Sequence, residues 1–195
     1  MKTKTANSPK WAGILAVLTL LVLTAVFFAV TASAEAAPDL TVTIDTGSEV
    51  TLTDGDGDGF YEIADADDLY AFAAAVNGGN SGINGELTRD ITVNADVLLD
   101  DGTLSGENAD FRTWIPIAAL AAPRSYGGTF EGGGYTVKGL YFNDALANAV
   151  GLFGELGSQA TVRNVTLSDC YFQGQDDVGG IVGDSAGGTV EGLYK

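Results

Sequence analysis

Residues 54–65, Asp-Gly-Asp-Gly-Asp-Gly-Phe-Tyr-Glu-Ile-Ala-Asp, place oxygen donors at the spacing of a calcium loop. Asp54, Asp56 and Asp58 fall at positions 1, 3 and 5, Gly59 at 6, the Phe60 carbonyl at 7, Glu62 at 9 and Asp65 at 12. This is the ligand order of an EF-hand loop, in which carboxylates converging on one point need a cation to offset their repulsion. No helix enters the loop, and position 12 is Asp, one methylene shorter than the usual bidentate Glu. Two readings stand: a calcium site with an affinity of about 10⁻⁴–10⁻³ M, in the range of extracellular modules, or a solvated acidic turn before a helix.

A helix must leave this loop. Leu69, Phe72, Ala73 and Val76 recur at i, i+3, i+4 and i+7, which predicts a helix over about 66–77. Asp65 or Ala66 begins it, Asp67 and Asp68 suit its positive end, and Gly78 is expected to supply a left-handed stop. Ahead of the loop, residues 39–53 alternate apolar and polar as a strand or hairpin does. Beyond the helix, short β runs lie between glycines.

The 195 residues include 26 acidic and 9 basic side chains and no histidine, a net charge of −17. That charge repels phosphate backbones, so nucleic acid is not an expected partner. Without an imidazole the chain can build no Ser-His or Cys-His nucleophile and no His-ligated zinc. Cys170 stands alone and reads as a small buried apolar side chain. Lys2, Lys4 and Lys10 precede an apolar run from Trp11 to Val30, followed by small residues up to Ala36. Residues 1–36 therefore read as a secretory signal peptide or, if uncleaved, as a membrane anchor, the chain's one expected contact with membrane. Removing them takes away three lysines and Glu35, which leaves 6 basic and 25 acidic residues, a net −19.

The remainder repeats itself. Thr136-Val137-Lys138, Thr161-Val162-Arg163 and Thr189-Val190-Glu191 recur at intervals of 25 and 28 residues, and the Gly-Leu-Phe-Gly of 151–154 answers the Gly-Ile-Val-Gly of 180–183. Periods in the twenties made of short strands and glycine corners are the mark of a solenoid, whose coils cannot bury their apolar side alone; an antiparallel sandwich is the alternative. The expected fold is mainly β: a solenoid of about four stacked coils over 85–195, preceded by a strand, the acidic loop and a capping helix over 37–84. Val137, Leu140, Phe142, Leu152, Phe153, Val162, Val165, Ile181 and Val182 are expected in its core. The closing stretch 187–195 reads as an ordinary coil and not a polar cap, as if truncated, so its strand should present an open edge.

Residues 58–195 resemble the N-terminal part of bacterial surface proteins that carry the GLUG motif, a glycine-rich repeat. Trp114, Pro116 and Ile117 match one element of that pattern, and Gly128, Thr129, Phe130, Gly132 and Gly134 another. Tyr135 departs from it, standing where His is common. The resemblance implies a right-handed parallel β-helix in a secreted or cell-surface, adhesin-like protein without catalytic activity, with carbohydrate or a host or cell-surface protein as partner. Tyr70, Tyr126, Tyr135, Tyr141 and Tyr171 are stacking platforms if exposed. The alternatives are a polysaccharide lyase or hydrolase, which needs paired carboxylates across a groove or a calcium cluster with a basic residue, and an accessory region of a secreted peptidase. Asp169, Asp176, Asp177 and Asp184 are among the acids in the repeats, with Arg163 as the nearby guanidinium, and turn chemistry already accounts for most of them.

Overall fold

The computed structural model describes residues 35–107, 110–119 and 125–192. The signal or anchor reading of residues 1–36 therefore lies almost wholly outside the described residues, among which no helix is long and apolar enough to cross a membrane. The described chain is mainly β, with one helix and several parallel sheets.

Strands β1 (Leu40–Thr43) and β2 (Glu49–Leu52) form an antiparallel hairpin. The acidic loop leads into β3 (Phe60–Ile63) and then α1 (Ala66–Asn77). Next come β4 (Asn84–Leu87) and β5 (Ile91–Thr92). After an irregular excursion the chain lays down β6 (Thr129–Glu131), β7 (Thr136–Lys138), β8 (Tyr141–Asn143), β9 (Asn148–Val150) and β10 (Phe153–Leu156). A last circuit follows with β11 (Thr161–Arg163), β12 (Thr166–Ser168), β13 (Tyr171–Gln173), β14 (Asp176–Val178), β15 (Val182–Ser185) and β16 (Thr189–Glu191).

Among the described residues every strand pairing after the hairpin joins one circuit to the next in parallel, and the one antiparallel contact there is the isolated Leu98–Leu104 bridge. The largest sheet runs β16-β11-β6-β4-β3. In it Tyr61 pairs with Gly85, Gly85 with Phe130, Phe130 with Val162 and Val162 with Val190, an inward row. On neighbouring faces β12 pairs β7, β13 pairs β8, β14 pairs β9 and β15 pairs β10. Single parallel bridges add Thr113, Ile117 and Tyr126 beneath Tyr141, Phe153 and Leu156. The Trp114-Pro116-Ile117 element thus belongs to the circuit that the 96–125 excursion lengthens.

The register corrects one reading of the repeat. Thr161-Val162-Arg163 lies over Thr129-Phe130-Glu131, not over Thr136-Val137-Lys138, which sits one face further on beneath β12. Any short strand that points polar, apolar, polar satisfies the Thr-Val-x pattern, so the pattern recurs between faces as well as between coils. The Gly-Leu-Phe-Gly correspondence holds: Phe153 pairs with Val182.

Strict two-residue alternation fails at the corners. Val137, Leu140 and Tyr141 are all buried, because Gly139 between them has φ +79° and reverses the inside–outside phase. At the equivalent corner of the next circuit Asp169 takes φ +53°, and Ala149 and its partner position Asp177 both take +56°. The left-handed corners repeat by position while residue type varies. Of the expected core, Val137, Leu140, Leu152, Phe153, Val162 and Val165 are buried, whereas Phe142, Ile181 and Val182 are half-buried.

Helix α1 spans the expected residues. Asp65 caps it by accepting the Asp68 N–H at 3.0 Å, while Asp68 reaches back to the Ala64 N–H. Gly78 stays right-handed at φ −78°, and the left-handed stop is Gly79 at +115°, one residue later. The helix is apolar on more than one side: Tyr70, Ala71 and Ala75 are buried along with the expected stripe, since the β1–β2 hairpin covers one side and the coil interior the other. Phe72 meets Phe130 and Tyr126 edge-on at 5.7 and 6.1 Å, and Tyr70 meets Trp114 at 5.1 Å. A side chain at Gly85 would strike the Phe72 ring.

Gly139 and Gly134 separate two costs of losing glycine. Both have positive φ, but a β-carbon on Gly139 collides with the Asn94 carbonyl, while one on Gly134 meets open space. Gly134→Ala is expected to lower stability by about 1–2 kcal/mol and Gly139→Ala by about 1–3 kcal/mol more. Urea midpoints at unchanged slope measure both, and equal losses would contradict the close-approach account.

Candidate functional site

The acidic loop is built on Asp54, which follows β2. Its Oδ1 accepts the Gly57 and Asp58 N–H groups at 2.8 and 3.1 Å, and its Oδ2 accepts those of Ala37 and Gly59 at 2.7 and 2.8 Å. These donors, the Ala37 amide foremost, hold the carboxyl below its usual range. Asp56 accepts from Asp58 N–H and Asp58 from Phe60 N–H. One carboxylate oxygen from each of Asp54, Asp56 and Asp58 lies within 4.8 Å of the others, an arrangement that can hold a cation.

The carboxylates of Glu62 and Asp65 are not part of this group. Glu62 turns its carboxylate onto the Gly55 N–H at 2.9 and 3.0 Å. Asp65 is occupied at the helix N-terminus. Phe60 opens β3 opposite Asn84. The physical reason is the strand itself: from position 7 onward the chain advances at about 3.3 Å per residue instead of curling into a helix, which carries position 12 away from positions 1, 3 and 5.

The strand instead aligns Glu62 with a row that sequence spacing did not reveal. Glu62 pairs with Glu86, Glu86 with Glu131, Glu131 with Arg163 and Arg163 with Glu191, all on the outer face of the largest sheet. Burial first, then the charges of Asp58, Asp56, Glu62 and Glu131, push the Glu86 carboxyl up. Glu131 goes the other way. Burial would raise it, but the Gly133 N–H, the Asn164 amide and the Arg163 guanidinium, at 2.5 Å, hold it down. The signal for this row was the third residue of each strand triplet, legible only once the register is known.

The predicted stacking platforms divide. Tyr70, Tyr126 and Tyr141 are buried, because their rings pack in the core and the Tyr70 and Tyr126 hydroxyls donate to the Thr113 and Ile83 carbonyls. Tyr135 is exposed and Tyr171 half-buried, stacked on Tyr141 at 5.8 Å. Asp169 is not a free turn acid: it accepts the Val97 and Leu98 N–H groups at 3.1 and 2.7 Å and lies 3.6 Å from Lys138, anchoring the excursion that begins there. Asp176, Asp177 and Asp184 are exposed. Cys170 is half-buried, and burial raises its thiol pKa, as expected of an inert side chain. A separate apolar groove of about 570 Å³ is lined by Trp114, Ile115, Pro116, Phe142, Leu146 and Val150 among others, with Leu146 81% exposed at its rim.

Comparison with known proteins adds one relative. Halomucin from Haloquadratum walsbyi (strain DSM 16790 / HBSQ001) is 31% identical over 157 residues, covering 75% of this chain and 2% of halomucin. The chain therefore spans a small fraction of the length of the curated relative it matches. No family model and no solved structure matches. The similarity is compatible with a secreted or surface module that is not catalytic. The relative is archaeal, so it lends no support to the bacterial origin implied by the GLUG resemblance.

Glu86 gives the row a measurable consequence. Its folded pKa lies above the ordinary 4.5, so its ionisation costs nothing below that pH and destabilises as pH rises through the folded value. In chelator at neutral pH, Glu86→Gln is expected to raise stability by about 0.2–1 kcal/mol, with the gain vanishing below the ordinary pKa. A gain that persists in acid would show that the cost of ionising Glu86 is not its cause.

Proposed function

We propose that this chain is a non-catalytic module of a secreted or cell-surface protein, folded as a right-handed parallel β-helix that presents a binding surface for carbohydrate or protein. The observation that carries this reading is the residue-for-residue parallel stacking of successive circuits, Thr129 under Thr161 under Thr189 and Phe130 under Val162 under Val190. Parallel strands joined by crossovers are right-handed in about 98% of cases, which supports the hand. We ascribe the coils to the GLUG type because its glycines meet a packing demand here: β-carbons on Gly128 and Gly132 would strike the Ile83 and Asn164 carbonyls. The apolar groove beside Ile115 and Leu146 and the exposed Tyr135 supply contact surface of the kind a ligand-binding face uses.

Calcium is part of the proposal. Asp54, Asp56 and Asp58 would hold the ion, with the Phe60 carbonyl, Glu62 and Asp65 contributing only if the loop closes around it. The bound charge would relieve the repulsion that Asp56 and Asp58 exert on Glu86.

Two measurements test the reading. The chain, applied to glycan and surface-protein arrays, is expected to be retained without cutting acidic polysaccharide, and Ile115→Asp with Leu146→Asp to weaken retention about tenfold or more, the scale of truncating interface anchors; release of new reducing ends or unsaturated sugar would favour the enzyme alternative. Calorimetric titration is expected to show Ca²⁺ binding at about 10⁻⁴–10⁻³ M, lost in Asp56→Asn with Asp58→Asn, which keeps side-chain shape. Flat traces for both would leave the loop a turn.

A further inference from the structure

The segment before β1 meets the acidic loop at one atom pair. The Ala37 amide donates to Asp54 Oδ2 at 2.7 Å, the shortest of the four backbone hydrogen bonds to that carboxylate. The other three donors, Gly57, Asp58 and Gly59, lie within the loop, so Ala37 is the one that ties the loop to the start of β1. Ala37 is half-buried and borders a cleft of about 330 Å³, whereas Glu35 and Ala36 are exposed and belong to no helix or strand. The next residue is held as well: the Tyr61 hydroxyl donates to the Pro38 carbonyl at 2.6 Å.

The sequence marks the same point. Ala34 and Ala36 stand third and first before the Ala36–Ala37 bond, the small-residue pair that an export peptidase reads after an apolar run. Ala34 lies outside the described residues, but the bond itself lies within them. Hydrolysis there consumes one water. The C–N bond breaks, the water oxygen stays on Ala36 as a carboxylate, and the two water protons end on the Ala37 nitrogen as an α-ammonium. At neutral pH that group is charged. A neutral donor to Asp54 thus becomes a cationic one, and such charge-assisted hydrogen bonds are roughly twice as strong.

We propose that the Ala36–Ala37 bond is a processing site for an export peptidase, and that the α-ammonium freed at Ala37 forms an ion pair with Asp54 that fixes the acidic loop. The carboxylate that gathers the Gly57, Asp58 and Gly59 N–H groups is then held by a charge from outside the loop. Ala36, whose β-carbon lies 3.7 Å from where one on Gly57 would sit, leaves with the cut. The other two ammonium hydrogens keep water at the cleft. Removal of the leader and firmness of the loop are therefore coupled. The inference rests on export of the chain, which the surface-module reading shares, and is independent of calcium and of whatever the module binds.

Mass analysis of the full chain released from a secreting host is expected to find Ala37 as its first residue. A first residue of Glu35, from a cut after the Ala32 and Ala34 pair, or retention of residues 1–36 would overturn the proposal. Ser33–Lys195 forms one compact unit, so a second arm uses the chain from Ala37 with a free or an N-acetylated amine, in chelator at neutral pH. Acetylation keeps the N–H and removes the charge. Hydrogen exchange of the Gly57, Asp58 and Gly59 amides is expected to be about two- to fivefold slower with the free amine, the worth of one exposed ion pair. A chain begun at Glu35 should match the acetylated one. Equal exchange in the free and acetylated chains would overturn the ion pair even where the cut is found at Ala37. A blank glycan or protein array bears on neither arm.

Discussion

Parallel pairing between one circuit and the next is the constraint on which the rest of the structure depends. Strands of three or four residues bury too little to stand alone, and their backbone groups find partners only on the circuits above and below. Neighbouring strands sit about 4.8 Å apart, so each inward side chain must fit directly over its predecessor. That is why Tyr61, Gly85, Phe130, Val162 and Val190 form one row, and why the glycine in it answers to Phe72 of the helix. A corner that turned one residue early would move every following side chain to the other face. The repeated left-handed positions at Gly139 and Asp169, and at Ala149 and Asp177, keep the circuits in phase.

In-register stacking also accumulates like charge. A chain with 26 acidic residues that lays triplet over triplet brings Glu62, Glu86 and Glu131 into a line beside the acidic loop. Local donors offset part of the repulsion: the Gly55 N–H at Glu62 and the Gly133 N–H, Asn164 and Arg163 at Glu131. Glu86 lacks comparable relief and is pushed toward protonation.

The N-terminal end of the stack is closed by the helix and the hairpin. At the N-terminal end α1 inserts Phe72 and Tyr70 against Phe130, Tyr126 and Trp114, and the β1–β2 hairpin closes over the helix. Arg112 fastens this cap, donating to Asp45 at 2.5 and 2.9 Å and to Asp67 at 2.8 Å while lying 3.7 Å over the Tyr70 ring.

The helix was legible in the sequence because its signals are local: a four-point apolar stripe, an aspartate able to cap and Gly78 at its end, one residue short of the left-handed stop at Gly79. The β character and the stacking of circuits were legible because Gly-Leu-Phe-Gly and Gly-Ile-Val-Gly recur in register. Which triplet lies over which was not, since polar-apolar-polar strands look alike on every face, and only the corner geometry distinguishes Thr136 from Thr129 as the partner of Thr161. The acidic loop shows the same division. Its carboxylate spacing is written in the chain, and Asp54, Asp56 and Asp58 do converge. Whether Glu62 and Asp65 join them depends on the backbone after Gly59, which a parallel partner at Asn84–Leu87 draws into a strand. Pairing energy between segments distant in sequence decided that, and no local pattern encodes it.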